Sequence, residues 1–76
     1  MLRILLECKN ARSENIAKHL DRMTEGFKLW SHDDMIYVLF ELDSLSTLRE
    51  LSGKLKRAKN VEFRYVKIQT VRNYDA

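Results

Sequence analysis

The apolar spacing of this chain predicts an α+β domain in the order βαββαβ, with four antiparallel strands and two helices on one sheet face. Three observations carry that expectation. Apolar residues alternate with period two over residues 2–8, 27–31, 35–42 and 61–71. They recur at helical spacing over residues 13–24 and 45–58. The two periods follow one another as strand, helix, strand, strand, helix, strand, which is the split-βαβ, ferredoxin-like layout. With no proline, linker or internal repeat in 76 residues, the expected organisation is one domain over residues 1–72 and a frayed tail over 73–76.

In the first strand, Leu2, Ile4, Leu6 and Cys8 point one way and Arg3, Leu5 and Glu7 the other. Lys9-Asn10-Ala11-Arg12 is a polar connection. Ser13 is the expected N-cap of the first helix, whose stripe is Ile16, Leu20 and Met23. Gly26 fits a left-handed position after that helix. Phe27–Ser31 is a short strand, Phe27 and Leu29 inward, Lys28 and Trp30 outward. Ser31-His32-Asp33-Asp34 supplies a turn. Met35–Leu42 is the clearest strand, with Ile36, Val38, Phe40 and Leu42 inward.

Asp43 or Ser44 caps the second helix, whose expected stripe is Leu45, Leu48, Leu51, Leu55 and Ala58, and Asn60 ends it. Gly53 falls in mid-helix away from this stripe, where it costs about 1 kcal/mol relative to alanine. Close approach of another chain is the functional reading of that glycine. The last strand, Val61–Val71, requires a bulge, because Val61 and Phe63 differ in phase from Val66 and Ile68.

Size and charge narrow the function classes. A domain this small buries only about 60% of its unfolded surface, so pairing the open sheet face with a second copy would add stability. No apolar run approaches the roughly 20 residues that span a bilayer, and the short Leu2–Leu6 run is not a signal peptide. A single cysteine, Cys8, allows no internal disulfide, and a reducing, cytoplasmic setting is expected. The net charge of +3 is uneven: residues 1–48 carry −2, and residues 49–72 carry +6. A basic second half suits phosphate or an acidic protein surface.

The outward face combines Arg3, Lys28, Trp30, Tyr37 and Leu39 with Glu7 and Glu41. Exposed rings on a sheet resemble the stacking platform of RNA-recognition modules, and Tyr37-Val38-Leu39-Phe40 mimics the end of their central motif. Asp33-Asp34-Met35 precedes it, acidic where phosphate would lie, so protein packing is the favoured use. Lys54, Lys56, Arg57 and Lys59, with Arg64 and Lys67, are the expected contacts to phosphate or an acidic partner. Cys8, His19, His32, Asp33 and Asp34 show no metal-ligand spacing, so no metal or cofactor is expected. No phosphate loop, nucleophile elbow or Cys–His pairing points to catalysis, and Cys8 is expected to face the helices as a packed hydrophobe.

The segments Asp34–Leu42, Thr47–Leu55 and Asn60–Phe63 resemble the second half of small ACT-like regulatory domains, with Asn60 where that family has glycine. The resemblance implies oligomerisation through sheets and an effector loop after the first strand, here Lys9, Asn10 and Arg12. The glycine typical of that loop is missing. A second likeness, carried by Ser13–Lys18 and Asp43–Arg49, is to the small dimerisation subunit of the KEOPS tRNA-modifying complex, although that family typically ends in a long second helix. The expected function is a non-catalytic, oligomerising regulatory or interaction module, working as a homo-oligomer or in a small protein complex away from membranes. An adaptor in a tRNA-modifying assembly and direct RNA binding are the alternatives.

Overall fold

The architecture follows the predicted order. A computed structural model describes residues 1–58 and 60–71. It contains β1 (Leu2–Lys9), α1 (Ser13–Asp21), β2 (Phe27–His32), β3 (Met35–Leu42), α2 (Leu45–Arg57) and β4 (Glu62–Thr70). The four strands form one sheet in the order β2-β3-β1-β4, antiparallel throughout, and the arrangement is ferredoxin-like. The 73–76 tail, the end of the 1–72 span and Lys59 lie outside the described residues.

The period-two alternation fixes what is buried. Ile4, Leu6 and Cys8 of β1 share a core with Ile36, Val38, Phe40 and Leu42 of β3. Ile16 and Leu20 of α1 and Leu48, Leu51 and Leu55 of α2 close the same core, so both helices cover one face of the sheet. Tyr65 and Ser52 tie α2 to β4 through hydroxyls 2.6 Å apart. Ser52 donates its own proton to the Leu48 carbonyl, which leaves the Tyr65 hydroxyl as donor to Ser52.

The bulge in β4 sits at Val66. Leu6 pairs with Tyr65 and Leu5 with Lys67, so Val66 is the extra residue. The shift puts Ile68 opposite Ile4 on the helical side and sends Lys67 and Gln69 to the open face. Ile68 remains 48% exposed on this edge strand.

Several local expectations need correction. The N-cap of α1 is Arg12, not Ser13, because Asn15 and Ile16 both donate to the Arg12 carbonyl, and no side chain caps this end. α1 stops at Asp21 rather than Thr24; Met23 and Thr24 both donate to the Leu20 carbonyl, closing a tightened last turn. Gly26 has no positive φ, since the Thr24 hydroxyl donates to its carbonyl and the chain turns without a left-handed residue. The β2–β3 turn is only Asp33-Asp34, with φ of 48° and 65°, so Ser31 and His32 stay in β2. Positive φ at both central residues is the mark of a type I′ hairpin.

Ser44 caps α2 by accepting from the Thr47 amide at 3.3 Å, and Asp43 accepts from the Thr47 hydroxyl at 3.0 Å. Leu45 does not join the core stripe; it is the first helical residue and is 57% exposed. α2 ends at Arg57, so Ala58 also leaves the expected stripe: it is the extended C-cap and not part of the core, and Asn60 adopts a left-handed φ of 65° in the following turn. Glycine takes that conformation freely and asparagine tolerates it.

Two stability outcomes follow from this packing. Leu51→Ala, at a fully buried site, should cost about 2–5 kcal/mol in urea unfolding, whereas Leu45→Ala should stay within about 0.5 kcal/mol. A Cβ on Gly53 meets nothing within 4 Å, so Gly53→Ala should raise stability by about 0.5–1 kcal/mol in the same measurement.

Candidate functional site

The face that the helices leave uncovered is the candidate site. Strand register arranges its side chains in rows that cross the sheet. In one row Trp30 pairs with Tyr37, Tyr37 with Glu7, and Glu7 with Arg64. The next row runs Lys28, Leu39, Leu5, Lys67, an aliphatic middle with an ammonium at each end. Beyond it Glu41, Arg3 and Gln69 align. At the hairpin end the row is His32, Met35, Lys9 and Glu62. Arg3, Lys28, Trp30, Tyr37 and Leu39 therefore share one face, as their alternation predicts. Leu5, not among the candidate interface residues, is placed beside Leu39; its position in the same alternation was the available signal.

Trp30 is 44% exposed and its ring stacks on Tyr37, with centroids 5.9 Å apart and planes 21° from parallel. Glu7 is the polar centre of the face. Its carboxylate accepts from Arg64 Nε at 2.8 Å. That bond holds the Glu7 carboxyl below its usual range; partial burial opposes it, and the Tyr37 hydroxyl adds a smaller lowering. The same carboxylate pushes the Tyr37 phenol up. Arg3 and Glu41 form a second cross-strand pair at 3.7 Å, both exposed.

The basic residues do not form one patch. Arg64 and Lys67 stand on the open sheet face, and Arg64 is held by Glu7. Lys54, Lys56 and Arg57 belong to the last turn of α2, in the opposite layer, where cations interact well with the helix C-terminus. Nor does the effector loop converge on one hollow. Lys9 and Asn10 border a cleft of about 630 Å³ with Ser31–Asp34. Arg12 instead lines a hollow of about 380 Å³ with His19, Leu55 and Ala58, which Asn10 also borders.

Cys8 is buried in the core, and burial followed by the Glu7 charge pushes its thiol up to about 11, so it remains protonated. Among the described residues, no three His, Cys, Asp or Glu side chains converge as a metal site. No helix among them is long and apolar enough to cross a membrane. Comparison of the chain with known protein families, curated proteins and solved structures finds no match.

The depressed Glu7 pKa has a sign that can be checked. The folded chain binds this proton less tightly than the unfolded chain, so the linked stability is present above the unfolded pKa and lost as pH falls through the folded one. Urea midpoints measured as pH falls from about 5 toward 3 should drop further for the native chain than for Glu7→Gln.

Proposed function

We propose that the chain is a non-catalytic interaction module, ACT-like in its regulatory logic, that oligomerises through its uncovered sheet face. One observation carries this reading: the stack of exposed Trp30 on Tyr37 lies beside the Leu5–Leu39 pair on a face that neither α1 nor α2 covers. Aromatic rings, arginine and a central aliphatic pair are what interface centres are built from. Arg64 and Arg3 already have Glu7 and Glu41 as partners, which lowers the cost of taking them out of water.

Four strands of about eight residues span roughly 26 by 19 Å. That footprint lies toward the small end of specific interfaces, so association should depend on concentration. An adaptor role in an RNA-modifying assembly would use the same face with a different partner. Direct RNA binding has less support, because Glu7, Glu41 and Glu62 interleave with the face's cations and the α2 cations stand on the other layer.

Sedimentation velocity at two concentrations about a hundredfold apart tests the proposal. The native chain should sediment faster at the higher one. Leu39→Lys, with its fold checked by circular dichroism, should weaken association at least about tenfold, or about 1.4 kcal/mol. A native chain that is monomeric at both concentrations overturns the reading.

A further inference from the structure

We infer that the partner on this face is a second copy of the chain, related by a two-fold axis that runs along the strands between β3 and β1. This rests on the interaction-module reading and specifies its geometry. Two sheets packed face to face lie about 10 Å apart with strands within about 30° of one another. Such an axis keeps every row level, laying β3 over the partner's β1 and β2 over its β4. Each contact then occurs twice, as an isologous interface requires.

The charges on the face fit that operation. Glu41 meets the partner's Arg3, and Arg3 meets the partner's Glu41. Leu39 meets the partner's Leu5 at the centre, and Tyr37 presents its hydroxyl toward the partner's Glu7. Trp30 covers the partner's Arg64, a cation–π arrangement whose cation is already neutralised by Glu7. A two-fold axis across the strands does worse: it sets Arg3 over the partner's Lys9, Arg64 over the partner's Lys67, and Glu7 over Leu5. Like charges so placed oppose docking.

The along-strand axis leaves one like-charge contact, Lys28 over the partner's Lys67, and that contact makes the arrangement testable. Lys67→Glu should tighten self-association about tenfold in sedimentation equilibrium, while Lys9→Glu, which faces the partner's Met35, should change it less than about twofold. Arg3→Glu and Glu41→Arg should each weaken self-association about tenfold, and an equimolar mixture of the two should recover a heterodimer near native strength. A native chain that never associates overturns both the module reading and this pairing. An oligomer in which Lys67→Glu and Lys9→Glu act alike, or in which the mixture shows no recovery, overturns this pairing alone.

Discussion

Both faces of the molecule depend on the position of β1. It is hydrogen-bonded on both edges, to β3 and β4, and its alternation separates Ile4, Leu6 and Cys8 from Arg3, Leu5 and Glu7. A slip of one residue against either neighbour would exchange those two sets. The core would then receive an arginine and a glutamate, and the open face would receive the aliphatics. The hydrophobic core and the ordering of the charged face are therefore one constraint seen from two sides.

The bulge at Val66 serves the same constraint on β4. Tyr65 must face the helices to bond Ser52, and Ile68 must face them to oppose Ile4, yet the two are three residues apart. A regular strand cannot put both on one side. One unpaired residue restores the phase, and it also places Lys67 level with Leu5 and Leu39. The charge arrangement that bears on partner choice is thus a by-product of a packing requirement.

On the open face, Glu7 does most of the organising. It fixes the Arg64 guanidinium and pairs across the strands with Tyr37, the ring on which Trp30 stacks. Two rings already stacked on each other lose little side-chain freedom on docking, which favours their use as a contact surface.

The sequence by itself determined the order of elements, the core leucines Leu48, Leu51 and Leu55 of α2, the residues on each face of β1, β2 and β3 and the need for a bulge in β4, because period and phase are local properties of a chain. Local signals also misled. Ser13 and Gly26 are favourable cap residues that the helix ends do not use, and Leu45 continues the leucine spacing yet, as the first residue of α2, stays exposed. Only the tertiary structure decided which charges are neighbours. Glu7 and Arg64 are 57 residues apart in the chain, and Lys67 is separated from Lys54, Lys56 and Arg57 by the thickness of the sheet although the sequence runs them together. Charge pairing depends on strand order and on which layer a residue joins, and neither is encoded in local spacing.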